Sequence, residues 1–151
     1  QATLERLFLT KYPEHHHQIT LLPHTLDFLR FCERQQMGVF IASTVDPYTY
    51  ESQMARFGIG PFITKPYIGI EDKTAKIHHI LDENHLHREE TMFVGDMEHD
   101  IEAGKAGGVR TCAVLTGYNL EEKLRALEPD LVCQHLGELQ KILAEPEAVH
   151  G

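Results

Sequence analysis

Two aspartates four residues apart, Asp96 and Asp100, stand directly after a short apolar run in Thr91-Met92-Phe93-Val94-Gly95-Asp96-Met97-Glu98-His99-Asp100. The run Thr91 to Val94 reads as a buried strand. Gly95 lets the backbone turn tightly and approach a ligand closely. Asp96 then falls just past the carboxyl end of the strand, where open α/β sheets place their ligands. Asp100 falls at the start of the next helix, so both carboxylates can face one point. Converging carboxylates suit a hard, oxygen-loving cation such as Mg²⁺. The plainer reading is a strand-to-helix turn in which Asp96 or Asp100 is an N-cap. The surrounding pattern, strand-GDxxxD followed by a helix ending in Ala106-Gly107-Gly108, favours the metal.

Two further segments could add chemistry. Phe40-Ile41-Ala42 ends in the hydroxyl pair Ser43-Thr44, again at a carboxyl edge. A hydroxyl and the N–H groups beyond it can bind a phosphate oxygen, or they can simply cap the following turn. Lys73 falls one residue into a helix capped by Asp72, where its charge opposes the helix dipole. Such a local conflict flags function. A lysine pointing into the mouth of the sheet could neutralise both carboxylates and a phosphoryl group. Lys65 and Lys76 compete with Lys73 for that role, and a solvated surface lysine is the ordinary alternative for each.

The elements that must position these groups alternate. Helices are expected over 2–10, 26–36, 50–57, 72–84, 100–106, 120–127 and 136–143. Strands are expected over 39–43, 91–94, 111–115 and 131–133, with a weak one near Phe62 and Ile63. Residues 13–18 form a polar linker, and the tail after Pro146 frays. Continuous apolar strands alternating with helices imply an α/β fold, a parallel sheet covered on both faces.

Ser43, Lys73, Asp96 and Asp100, in this order, resemble the second, third and fourth motifs of the haloacid dehalogenase superfamily. The likeness is to its small phosphatases of the phosphoglycolate-phosphatase type. Ile101 to Gly107 is similar to the helix that follows the fourth motif, and the resemblance runs from about Leu22 to Leu143. It implies a three-layer Rossmann-like core over 19–145 and a small phosphorylated metabolite as substrate. It also implies a site in which Asp96 ligates Mg²⁺ and Asp100 supports it. Ser43 would hydrogen-bond the phosphoryl group, and Lys73 would screen charge. Paired carboxylates favour phosphatase over dehalogenase chemistry, because Mg²⁺ can bridge nucleophile and phosphoryl oxygens.

One departure stands out. The family's first motif, DxDx(T/V), carries the nucleophile at the end of the first strand, and no such sequence occurs here. Residues 1–18 read instead as the last helix of a cap insertion and a linker, so the first strand is expected to be absent. In the family's 5-4-1-2-3 order that strand lies between 39–43 and 91–94. Three outcomes could close the gap: direct pairing of those strands, a local segment such as Gln18 to Leu22, or a second polypeptide. The last could be another copy or an N-terminal fragment. An inactive domain of the same fold, with a binding or regulatory role, is the alternative function.

At 151 residues and net charge −9, the chain is one domain with no general affinity for nucleic acid or anionic membrane. No apolar run is long enough to span a bilayer. Cys32, Cys112 and Cys133 form no CxxC, which suits buried thiols and a reducing cytoplasm. His15-His16-His17 could bind Zn²⁺ or Ni²⁺ adventitiously, whereas a dedicated site would need ligands fixed by a second shell. His99, between the motif aspartates, points outward or touches substrate or cap.

Overall fold

The strands around residues 38–43, 91–95 and 110–114 present apolar side chains to both faces of the sheet, which is why their sequences read as hydrophobic runs. Val39, Ile41, Met92, Val94, Cys112 and Val114 enter one core layer, while Phe40, Ala42, Phe93 and Ala113 enter the opposite side. In a computed structural model, residues 6–11, 24–115 and 121–145 are described. The strands are β1 (Arg6–Lys11), β2 (Gly38–Ser43), β3 (Lys65–Tyr67), β4 (Thr91–Gly95), β5 (Arg110–Val114) and β6 (Leu131–Cys133). The helices are α1 (Thr25–Arg34), α2 (Pro47–Phe57), α3 (Lys73–Glu83), α4 (Glu98–Gly107), α5 (Glu121–Ala126) and α6 (Leu136–Ala144). The sheet order is β3-β2-β1-β4-β5-β6, and every pairing is parallel. Helices α1, α2 and α6 pack on one face, α3, α4 and α5 on the other. This is the expected three-layer, Rossmann-like α/β architecture.

The principal correction concerns the amino-terminal residues. Arg6–Lys11 is a strand, not part of a cap helix, and it fills the centre of the sheet. It pairs with β2 from Arg6↔Gly38 to Lys11↔Ser43, and with β4 from Arg6↔Thr91 to Leu9↔Val94. The gap between β2 and β4 is therefore closed within this chain, by a segment other than Gln18 to Leu22. The physical reason is backbone satisfaction. Two flanking strands with buried, unpaired N–H and C=O groups would lose roughly 1–3 kcal/mol per group. A short apolar run such as Leu7-Phe8-Leu9 suits helix or strand equally by periodicity, so the vacant ladder decides. Residues 12–23, which include His15 to His17 and Gln18 to Leu22, and the tail 146–151 lie outside the described residues, as does 116–120.

Smaller differences have local causes. The weak strand near Phe62 is a single 3-10 turn, Gly60–Phe62, and the strand follows at Lys65–Tyr67. Helix α2 begins at Pro47 rather than Tyr50. Asp46 accepts from Thr49 N at 2.8 Å and from its Oγ1 at 2.9 Å, and proline is at home in a first turn. All three thiols are free and buried, as expected. Burial pushes Cys32 up to about 12. Among the described residues, no helix is long and apolar enough to cross a membrane.

Candidate active site at the carboxyl edge of the sheet

Ser43 is the last residue of β2, and Asp96 immediately follows the last residue of β4. The register through β1 sets them level, because Leu9 pairs with both Ile41 and Val94, two residues before Ser43 and Asp96 respectively. One strand separates them, so their backbones stand about 10 Å apart, two strand spacings. Both residues are buried. The expected meeting of Ser43 and Asp96 at one edge is what the topology produces.

Lys73 joins them through Asp100. Its Nζ lies 2.9 Å from Asp100 Oδ1, with side-chain exposures of 3% and 0%. Burial at that level makes the pair an obligatory one, since either charge alone would be stranded in the interior. Asp100 Oδ2 accepts from Met97 N at 3.2 Å, which closes the turn into α4. Asp100 thus performs the plain capping task and carries the buried charge as well. Lys73 starts α3 one residue after Asp72, whose Oδ1 accepts from Thr74 N at 3.0 Å and Ala75 N at 3.3 Å. The dipole conflict at Lys73 is offset by Asp100.

The other lysines sort themselves out. Lys65 Nζ donates to Glu83 Oε1 at 2.8 Å on the surface. Lys65 and the Tyr67 hydroxyl hold Glu83 at about 2, well below the usual carboxylate range. Lys76 lies over the Tyr67 ring, 5.9 Å from its centroid. Lys73 alone of the three reaches the motif aspartates.

Ser43 Oγ accepts from Val45 N at 3.1 Å, so the turn-capping reading of this hydroxyl is also realised. A hydroxyl that accepts one bond can still donate another. Sequence reasoning missed what holds the loop after β2. Gly69 N donates to Val45 O at 2.7 Å, and Ile70 N donates to Ser43 O at 3.0 Å. The segment after β3 therefore pins Ser43 before it leads into Lys73. Only a parallel β2–β3 pairing brings those segments together, and no local signal announces it. His99 is half-exposed, with Nε2 4.0 Å from Asp100 Oδ1, at the rim of the site.

Gly95 is required sterically. A Cβ there would stand 2.3 Å from Asp100 Cβ and 2.5 Å from Asp100 Oδ2. Asp100 cannot retreat without leaving Lys73. Gly95→Ala is expected to cost about 1–3 kcal/mol, the usual range for overpacking, in thermal or urea unfolding. A variant as stable as the parent would show that the turn has slack.

The donor set bears on a metal. Among the described residues, no group of three or more His, Cys, Asp or Glu gathers in a metal-binding cluster. Mg²⁺ typically takes only one or two carboxylates and completes its shell with water and substrate oxygens. Asp100 has both oxygens engaged, so it orients the site, and Asp96 is the carboxylate suited to ligate. The residues fit a cation held jointly with a phosphorylated ligand.

Comparisons with known proteins agree with this fold. Residues 2–114 match the haloacid dehalogenase-like hydrolase family. The chain belongs to that family, and its likeness is to the phosphatase-like members. It is 28% identical over 138 residues to pyrophosphatase PpaX of Oceanobacillus iheyensis, a match covering 87% of this chain and 64% of that protein. It is 30% identical over 96 residues to phosphoglycolate phosphatase of Pectobacterium atrosepticum, covering 60% of this chain and 41% of that one. The crystal structure of a putative phosphatase from Clostridium difficile superposes with a TM-score of 0.78 at 18% identity, covering 86% of this chain and 63% of that chain. This chain thus spans less than two thirds of each of these proteins.

Proposed function

We propose that this chain carries the core domain of a cytoplasmic, Mg²⁺-dependent phosphomonoester hydrolase whose substrate is a small phosphorylated metabolite. The observation that carries the reading is the buried Lys73–Asp100 pair at the same sheet edge as Ser43 and Asp96. Asp96 would hold the metal. Bound there, Mg²⁺ would neutralise phosphoryl charge and align the group for in-line attack. Ser43 would donate to a phosphoryl oxygen, and Lys73 would supply fixed positive charge in a water-poor corner, where it counts for more than in bulk solvent. Asp100 would keep Lys73 aimed and charged.

The family's nucleophile motif has no counterpart in this sequence. The central strand of this chain ends in Thr10-Lys11, which offers no carboxylate. Positioning and electrostatics without a nucleophile hydrolyse little. We therefore expect no turnover of p-nitrophenyl phosphate above background with Mg²⁺. The binding half of the site should persist. Inorganic phosphate with Mg²⁺ should give a calorimetric isotherm that Ser43→Ala and Asp96→Asn each weaken. Robust turnover that disappears in Asp96→Asn would reveal a nucleophile elsewhere in the chain. A silent isotherm would remove the phosphate-site reading altogether. The occupied central slot favours one second reading, a non-catalytic domain that binds a phosphorylated ligand. Another strand could enter between β2 and β4 only by displacing Arg6–Lys11.

A further inference from the structure

We propose that a cavity between the Ile68–Asp72 loop and the outer face of α3 is a second binding site, for a small organic acid with one carboxylate and an apolar body. The cavity measures about 320 Å³, at the lower end of the range of small-molecule pockets. Its apolar lining comes from Ile68, Ile70 and Ala75, and Lys76 and His79 stand along the helical wall.

Lys76 supplies the reason for a negative ligand. Like Lys65 it stays outside the candidate active site, and it is partly buried. No carboxylate lies within ion-pair distance of it among the described residues, and its ammonium lies over the face of Tyr67. A lysine held over an aromatic ring at a cavity wall is a ready charge partner for a carboxylate.

The acidic groups around the cavity narrow the class. Asp72 and Glu71 also line it. The Asp72 carboxylate is turned to the backbone of α3, accepting from Thr74 N and Ala75 N. Glu71 is exposed and screened by solvent. Among the described residues, Lys76 is the one lysine on a wall that also carries Glu71 and Asp72, so a single negative charge finds its partner there, whereas a second would have no further lysine to meet. Gly69 adopts φ 66, and nothing lies within 4 Å of where its Cβ would be, so the rim is open for entry.

The site shares a wall with the candidate active site. Gly69 and Ile70 line the cavity while their N–H groups hold Val45 O and Ser43 O. A ligand that orders this loop therefore also orders Ser43, which is the physical route for coupling the two sites.

The test is an amide NMR titration of the full chain with benzoate. Saturable shifts are expected at Gly69, Ile70, Ala75 and His79, with a smaller shift at Ser43. Lys76→Gln, whose amide dispersion should match the parent's, is expected to weaken the affinity about tenfold, the loss of one charge-assisted contact. Benzyl alcohol, the neutral analogue, should bind the parent as weakly as benzoate binds the variant. Unchanged benzoate affinity in Lys76→Gln would overturn the proposal. So would shifts confined to Gly95–Asp100, or inorganic phosphate shifting the cavity amides as strongly as benzoate does.

Discussion

Leu9→Pro is expected to leave this chain largely unfolded at room temperature. Leu9 pairs with Ile41 on one side and Val94 on the other, at the centre of a six-stranded sheet. Proline removes one ladder N–H, strands a buried carbonyl on the neighbouring strand, and forces its ring between closely spaced backbones. The loss should be about 3 kcal/mol or more. A domain of this size holds roughly 5–15 kcal/mol in total, and this one must order its central strand from a short segment. The molecule contains its own control. Pro66 sits within β3 without harm, because β3 is an edge strand and has a side that bonds no neighbour. Circular dichroism and amide dispersion would read the outcome. In the parent, hydrogen exchange should show Leu7 to Thr10 protected as strongly as Phe40 to Ala42. A folded Leu9→Pro variant with the parent's midpoint would mean that Arg6–Lys11 does not hold the sheet together.

Lys73→Met should destabilise the fold by about 3–5 kcal/mol, because Asp100 is then a fully buried carboxylate that has lost its charge partner. Removing both charges tells a different story. Lys73→Met with Asp100→Leu exchanges a buried ion pair for apolar contact, which is often neutral or better. The double variant loses one capping bond at α4, worth about 1 kcal/mol, and should recover most of the stability. Urea midpoints of the two single variants and the double variant form a cycle that isolates the pair. If Lys73→Met costs under about 1 kcal/mol, the pair is solvated and the positioning role of Asp100 falls with it. Phosphate affinity should be lost in both variants, so stability and binding separate in the double variant.

Much of this protein was legible in one dimension. The runs Val39 to Ser43, Thr91 to Val94 and Thr111 to Leu115 read as strands buried on both faces, and β2, β4 and β5 contain all of these residues but Leu115. Asp72 as an N-cap, and Gly58 and Gly108 as helix stops with φ 67 and 72, follow from local chemistry that no distant contact needs to supply. Ser43 and Asp96 could be placed at one edge because parallel strands all end on the same side.

Other features were decided only in three dimensions. Whether Lys73, Lys76 or Lys65 meets the aspartates depends on where α3 docks against α4. At that crossing Gly107 comes so close that an added Cβ would lie 2.6 Å from Ile77 Cγ1. No spacing in the sequence encodes that distance. The amino-terminal segment is the sharpest case. Residues 6–11 carry no decisive periodicity, and a helix there satisfies every local preference. They became the central strand because β2 and β4 left two rows of buried backbone donors and acceptors facing one slot. The sequence by itself determined the parallel layers and the edge at which chemistry could occur. The tertiary structure decided which segment completed the sheet and which lysine entered the site, because unpaired backbone groups and unpaired buried charges are costs that arise only once the layers close.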